Sequence, residues 1–337
     1  LDKNWSAQYR GYMSSTLDST GYSFGQHHEG VLVGTGRRFT FSMQYLDITP
    51  KFETETGFLQ RADQRSLNQY GHFYWRPEGK HLIQHGIEEN GTQLWGSHGT
   101  TLQQVISGDY VFGFRRNIIF APIYFYESDV LRPVDFAATP LPANKQMAQQ
   151  GGGIVFRGSP WRAFNWSTRF FHNGAVVIVP ALGQLPYTGN ETAVTQNIGI
   201  KPTGRLQIDN TYILERVTNG LAHRAVVNSN IFRSKWNYQF TREFSLRFIG
   251  QYNGLLANQQ FSSLNTTKNL NFDVLFTYLV HPGTAVYVGY NSNLENVDPD
   301  LCFHLPGSTQ CNPNNPTARL SNDGRQLFIK ISYLFRR

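Results

Sequence analysis

Histidines beside an acid are the first residues in this chain with chemical potential. "QHHEG" places His27, His28 and Glu29 in a row, and His81 and His85 lie four apart. Both groups raise metal binding. On a strand, adjacent side chains point to opposite faces, so His27 and His28 cannot chelate one ion together without a bulge. At strand rise, His81 and His85 sit about 13 Å apart, too far for a shared ion. No metal site is expected. A serine hydrolase would need Ser, His and an acid or amide within hydrogen-bond reach. Ser167, His172 and Asn165 are close in sequence, but no Gly-x-Ser-x-Gly elbow is present. "QQGGGIVF" (149–156) has no following helix to present an N-terminus to phosphate, so it reads as a flexible strand start. No catalytic set and no cofactor are expected.

Two further groups remain open. "TGFLQRADQR" carries Arg61, Asp63 and Arg65 in an early long connection. They form either an Arg/Asp network that binds a partner or folds over a pore, or a loop held by its own ion pairs, Asp63 between Arg61 and Arg65. The two cysteines, Cys302 and Cys311 in "LCFHLPGSTQC", lack Cys-x-x-Cys spacing, which argues against zinc and thioredoxin chemistry. A disulfide closing this turn-rich loop is expected, with free thiols as the alternative. It would contribute roughly 2–3 kcal/mol and imply an oxidising compartment.

The elements that must position these residues have a period of two. "RFTFSMQYLD" (38–47) sets Phe39, Phe41, Met43 and Tyr45 against Thr40, Ser42 and Gln44. "FRSKWNYQF" (232–240) sets Phe232, Trp236, Tyr238 and Phe240 against Arg233, Lys235, Asn237 and Gln239. "NLNFDVLFTY" (269–278) sets Leu270, Phe272, Val274, Phe276 and Tyr278 against Asn269, Asn271, Asp273 and Thr277. Such alternation specifies strands with one apolar face. Composition agrees. Of 337 residues, 14% are aromatic and only 16% charged, against about 25% charged in soluble domains. No apolar run approaches the ~20 residues of a spanning helix, and the mean hydropathy is −0.39. The net charge of +7 comes from 30 scattered Lys and Arg. A nucleic-acid surface needs them clustered, so none is expected. The opening "LDKNWS" carries no signal peptide and no start Met, and reads as a mature or trimmed product.

Runs of about ten residues, tilted ~40°, climb about 25 Å, the height of the apolar band of an outer-membrane barrel. Short links occur at 34–38, 76–80, 115–117, 157–161, 201–205, 241–243 and 281–284. Between them lie mostly longer links at 49–65, 129–145, 175–189, 257–266 and 297–321. The hairpin count predicts about sixteen strands, with the second near 26–34 and another near 80–91. A soluble β-sandwich also alternates. Three features favour the membrane: an unbroken hairpin series, polar faces of Asn, Gln, Ser and Thr, and Tyr and Trp near strand ends. The expected fold is all-β, one domain over 1–337: a transmembrane antiparallel up-and-down β-barrel with short periplasmic turns and long extracellular loops. Its expected location is the bacterial outer membrane.

On the expected inner face lie Arg10, Arg169, Arg233, Lys235, Arg247 and Lys330, with Asp209, Glu215 and Asp273. As pore-lining groups, six cations against three anions predict a mild anion preference. The alternative is that they pair across strands and satisfy one another. A sixteen-stranded barrel is wide enough for an aqueous channel, and residues 130–150 are enough to fold in and constrict it.

The stretch "YLDITPKFETETGFLQRADQRSLN" (45–68), with Thr56-Gly57-Phe58 before Arg61, Asp63 and Arg65, resembles a bacterial family of unknown function. "FTYLVHPGTAVYVGYN" (276–291) and "QLFIKISYLFRR" resemble its last strands, and the likeness runs in order along nearly the whole chain. Members of that family typically join an N-terminal carbohydrate-binding-like module to a C-terminal outer-membrane barrel. No such module is expected within this sequence, since its first residues already read as a strand. The resemblance implies fold and location, and no chemistry. Three functions follow: a porin-like channel for small solutes, a non-conducting outer-membrane anchor for a periplasmic or surface protein, and a barrel enzyme acting on lipid or glycan. The expected partners are outer-membrane lipid and the barrel-assembly machinery.

The chain closes on "GRQLFIKISYLFRR", with Leu327, Ile329, Ile331, Tyr333 and Phe335 on one face. This reads as the final strand, pairing with the first to remove both edges. Arg336 and Arg337 depart from assembly signals, which often stop at the last aromatic. Replacing Ile329 or Ile331 with Asp should reduce the heat-modifiable species of the membrane fraction on gels. An unchanged heat-modifiable band would refute a lipid-facing last strand.

Overall fold

The computed structural model describes residues 4–19, 21–54, 62–133, 141–281, 283–296 and 320–334. Sixteen strands follow one another. They are β1 (Trp5–Asp18), β2 (Gly21–Thr35), β3 (Phe39–Ile48), β4 (Gln64–Trp75), β5 (Leu82–Trp95), β6 (Thr101–Phe114), β7 (Ile118–Leu131) and β8 (Lys145–Trp161). They continue as β9 (Phe164–Val177), β10 (Tyr187–Thr203), β11 (Leu206–Asn219), β12 (Ala225–Gln239), β13 (Phe244–Ala257), β14 (Thr267–His281), β15 (Thr284–Glu295) and β16 (Ser321–Tyr333). Their order in the sheet is their order in the chain. This is the up-and-down arrangement of an outer-membrane β-barrel, the fold class expected from the sequence. No helix among the described residues is long and apolar enough to cross a membrane. The chain divides into two compact units, residues 1–115 with 119–154, and residues 116–118 with 155–337.

The strands are longer than their apolar runs, reaching 17 residues in β8 and β10. The second strand begins at Gly21 and the fifth at Leu82 and ends at Trp95, so both extend beyond their expected bounds. "RGSPW" at 157–161 is not a turn. It lies within β8, and the turn is at 162–163. The Gly-Ser-Pro composition imitates a turn, while strand pairing continues through it. In "KPT" the strand also continues, and the missing N–H of Pro202 coincides with a register shift between Ile200 and Thr203. The link at 115–117 is a tight hairpin: Arg116 and Asn117 have φ of 61° and 54°, the left-handed pair of a type I′ turn.

Register assigns the faces. In the second unit Trp236 pairs with Phe248, Phe248 with Val274, Val274 with Tyr290, and Tyr290 with Leu327. One residue along, Lys235 pairs with Ile249, Ile249 with Asp273, Asp273 with Asn291, and Asn291 with Gln326. Four consecutive pairings thus keep an apolar row on one face and a mainly polar row on the other, because side chains alternate with period two. The first unit repeats the pattern. Arg10 pairs with Glu29, Glu29 with Leu46, Leu46 with Ser66, Ser66 with Leu94, and Leu94 with Gln103. The face opposite carries Tyr9, Phe41, Met43, Leu67, Phe73 and Ile87. Its charged interruptions include Glu89, which lies across from Gly71 and accepts a hydrogen bond from Gln69 Nε2 at 2.7 Å, and the Asp47–Arg65 pair at the strand ends.

The apolar rows are bare. Leu327, Ile329 and Ile331 are 71%, 70% and 72% exposed, and Trp236, Phe276 and Tyr278 are also exposed. The buried apolar set is short by comparison and gathers near strand ends and connections, as with Ile48, Phe52, Val177 and Val226. A water-soluble protein of this length buries such side chains in a core. Here burial must come from outside the chain, which is the arrangement of a lipid-facing belt. Aromatic rings line the short-turn end of that belt: Phe240 stacks on Phe244 at 5.0 Å and Phe244 on Phe276 at 6.1 Å.

At the other end, the start of the long connection after β3 folds back over the polar face of β2. Phe52 is 5% exposed and meets His27 edge-on, at 5.5 Å between ring centres. Its backbone lies where a Cβ on Gly25 would sit, within 2.2 Å. Only glycine permits this approach. The flap is held further by Glu53 N–H donating to Ser14 Oγ at 3.0 Å. Gly25→Val should expel Phe52, losing about 1.5–3 kcal/mol of side-chain burial. The measurement is the urea midpoint of refolded protein, which should fall for Gly25→Val and stay unchanged for Gly30→Ala, where a Cβ meets nothing within 4 Å.

Candidate functional site

The polar face is the candidate site, and each unit is described separately. In the first unit a hydrogen-bonded chain of side chains crosses β1 to β5. Arg10 pairs with Glu29 at 3.1 Å, and Gln44 Nε2 donates to Glu29 Oε1 at 2.6 Å. Asn68 Nδ2 donates to Gln44 Oε1 at 3.4 Å, and Thr92 Oγ1 donates to Asn68 Oδ1 at 3.0 Å. Further on, Gln103 Nε2 reaches both Glu127 (3.0 Å) and Asp129 (2.9 Å), and Gln149 Nε2 donates to Glu127 at 2.7 Å. Glu88 and Asp109 face each other across β5 and β6. This face is acidic: Glu29, Glu88, Asp109, Glu127 and Asp129 outweigh Arg10. Amide side chains occupy lone pairs of Glu29, Glu127 and Asp129, so their charge is held in place rather than cancelled.

In the second unit the same face carries Arg169, Arg233, Lys235, Arg247, Asp209, Glu215 and Asp273, by register. Lys330 joins them opposite Tyr287. Asp209 sits across from Lys235 and accepts from Gln207 Nε2 at 2.8 Å, and Asp273 accepts from Asn291 Nδ2 at 2.6 Å. Arg169 lies over the Phe171 ring at 5.6 Å, a cation–π contact. All nine residues singled out on the polar face therefore lie on the polar side of their strands. The carboxylates of β2 and β5 to β7 were missed. They stand in less regular strands, where Gly, His and Gln obscure the alternation. Register from β1 to β6 assigns those of β2, β5 and β6, and the hydrogen bonds from Gln103 assign Glu127 and Asp129 of β7.

The remaining sequence candidates separate. Asp63 makes no ion pair with Arg65. Its Oδ1 accepts from the Ser97 N–H at 3.1 Å and from the Ser97 hydroxyl, and Arg132 stands 3.8 Å away. Arg65 pairs instead with Asp47 at 3.0 Å, directly across β3 and β4. Strand pairing carries Arg65 away from its sequence neighbour, and Asp63, at φ 60°, turns toward the next outer link. Arg61, Cys302, Cys311, Phe335, Arg336 and Arg337 lie outside the described residues. His27 packs on Tyr12 and Phe52, while His28 Nδ1 meets the Tyr9 hydroxyl at 2.6 Å on the opposite face. His85 is 2.7 Å from the Tyr110 hydroxyl and stacks on Trp75. His172 bonds Thr192 and lies on the face opposite Ser167 and Asn165, so these three do not meet.

The outer end of the second unit is clasped. The connections after β9 and β13 meet through a bridge between Pro180 and Ser262. The Ser262 hydroxyl donates to Val179 O at 3.0 Å and accepts from Leu264 N–H at 3.2 Å. Tyr187 OH donates to Phe261 O at 3.0 Å. Ser262 is 2% exposed. The clasp ties two long loops across the ends of the strands between them.

Sixteen meandering strands with an exposed apolar face and a wired polar face define the outer-membrane β-barrel class. Comparison with solved structures agrees at the level of fold. The chain is similar to the FrpB iron transporter of Neisseria meningitidis, F3-3 variant, at 12% identity and TM-score 0.54, covering 100% of this chain and 60% of that one. The apoprotein form of its F5-1 variant matches at 12% identity and TM-score 0.50, with the same coverage. OmpT of Vibrio cholerae is 10% identical at TM-score 0.38, covering 98% and 99%. This chain spans about 60% of the length of FrpB. No family model matches it, and no curated protein matches at a significant level.

Removing the Ser262 hydroxyl should cost the clasp about 1.5 kcal/mol. Ser262→Ala should then be cut about tenfold faster by proteinase K within 178–186 and 258–266, while strand content by circular dichroism stays the same. Equal cleavage rates would show that the clasp does not restrain these loops.

Proposed function

We propose that the protein is a porin-like channel of the bacterial outer membrane, passing small polar solutes with a mild anion preference. The observation that supports this most directly is the pairing of faces. Each register keeps a lipid-type apolar row back to back with a row of charged and amide side chains suited to a water-filled lumen. Arg233, Lys235 and Arg247 supply the attraction for anions. Glu29, Glu88, Asp109, Glu127 and Asp129 oppose it, which keeps the preference mild. The side chains brought together form charge and hydrogen-bond rows rather than a nucleophile with its base, which favours transport over catalysis. We further propose membership in the uncharacterised barrel family whose motifs occur at 45–68 and 276–291, with assembly by the barrel-assembly machinery.

Reconstitution in planar bilayers under a KCl gradient tests the reading. Defined conductance steps are expected, with a chloride-to-potassium permeability ratio between about one and five. Replacing Arg233, Lys235 and Arg247 with Gln should bring the ratio below one. Glu88→Gln with Asp109→Asn should raise it. A silent membrane from correctly folded protein would sink the channel and favour the anchor for a periplasmic or surface partner.

A further inference from the structure

We propose that the short-turn end of β9 to β13 holds a binding site for a small, multiply charged phosphate ligand, recruited from solution. A cavity of about 610 Å³ opens there within the second unit. Its charged lining is entirely cationic: Arg162, Lys201, Arg205 and Arg247, joined by the amides of Gln207, Asn237 and Gln239. Register builds it. Gln207 pairs with Asn237 and Asn237 with Arg247, so the three side chains form one row across β11, β12 and β13 on the polar face. The register shift after Ile200 brings Lys201 and the Arg205 turn to the same end. Gln239 N–H donates to Arg205 O at 2.8 Å and Lys201 N–H to Ala163 O at 2.8 Å, which fixes the turn backbones around the opening.

None of the four cations pairs with a carboxylate among the described residues. The nearest acid along β11, Asp209, is engaged by Gln207 and stands across from Lys235. Other cations are paired: Arg10, Arg37, Arg65 and Arg132 each have a carboxylate, at 3.1, 3.4, 3.0 and 3.8 Å. Four like charges around one concavity repel one another and raise the local potential, and a polyanion relieves that repulsion. Guanidinium forks suit phosphate oxygens, and Lys adds a point charge. The cavity volume matches a small organic ligand rather than a bare ion. Arg247, Asn237 and Gln207 lie on the face turned from lipid, which favours a soluble phosphate over a phospholipid headgroup.

Isothermal titration of refolded protein in neutral detergent, with pyrophosphate as the probe, tests the site without requiring conduction. Saturable binding is expected, weakening as salt rises. Arg247→Gln and Lys201→Gln should each weaken it at least about fivefold, and the double variant should abolish it. Arg216→Gln, on the opposite face of β11, should leave it unchanged. Heat-modifiability on gels establishes that each variant is folded. No binding at millimolar pyrophosphate, or equal binding by Arg247→Gln and Arg216→Gln, would overturn the proposal. Loss of pyrophosphate binding on adding phosphatidylglycerol to the micelles would overturn the soluble ligand and assign the cations to lipid headgroups. Pyrophosphate binding by a protein that conducts no current would uphold the site and fail only the channel.

Discussion

A bilayer offers no hydrogen-bond partner to a peptide group, so each N–H and C=O that crosses it must be satisfied within the chain. For this sequence, poor in helix periodicity, the strand ladder is the available solution. The consequences run through the molecule. Antiparallel neighbours joined in chain order make the ladder from local hairpins, with no crossover to pack. Tight links such as Arg116–Asn117 adopt the backbone twist that such hairpins need. Proline is tolerated where the ladder already shifts, as at Pro202.

The same constraint separates the two faces. Once the backbone is paired, side chains have only two directions. Outward ones are bare in the isolated chain and require lipid. Polar ones are wired to each other. Arg10, Glu29, Gln44, Asn68 and Thr92 form a run in which each group satisfies its neighbour across a strand boundary. Such runs hold charges at defined positions at little cost, since the amides donate to carboxylates without neutralising them. The result is uneven: acids dominate the face in the first unit, and cations with no carboxylate partner among the described residues gather at one end of the second.

How much of this was legible depends on how clean the alternation is. "NLNFDVLFTY" and "FRSKWNYQF" assign both face and strand without ambiguity, and Arg233, Lys235, Arg247 and Asp273 lie where their parity put them. The strands carrying Glu29 and Glu88 do not, because His, Gly and Gln interrupt the pattern and the apolar face itself contains Glu89 with Gln69. The turn expected at 157–161 shows the opposite error. Its Gly, Ser and Pro have turn propensities, but the ladder overrides them.

By itself, the sequence determined the class of structure, the strand number, the face of each regular strand and the polar character of one side. These are local properties, set by period-two alternation and turn chemistry. Only the tertiary structure decided which residues from distant segments meet. Arg65 finds Asp47 rather than Asp63, Ser262 clasps Val179 across two loops, and Phe52 settles on Gly25. It alone gathered Arg162, Lys201, Arg205 and Arg247 around one cavity. The reason is register. A shift of one residue between strands changes every cross-strand neighbour without altering the alternation that the sequence displays.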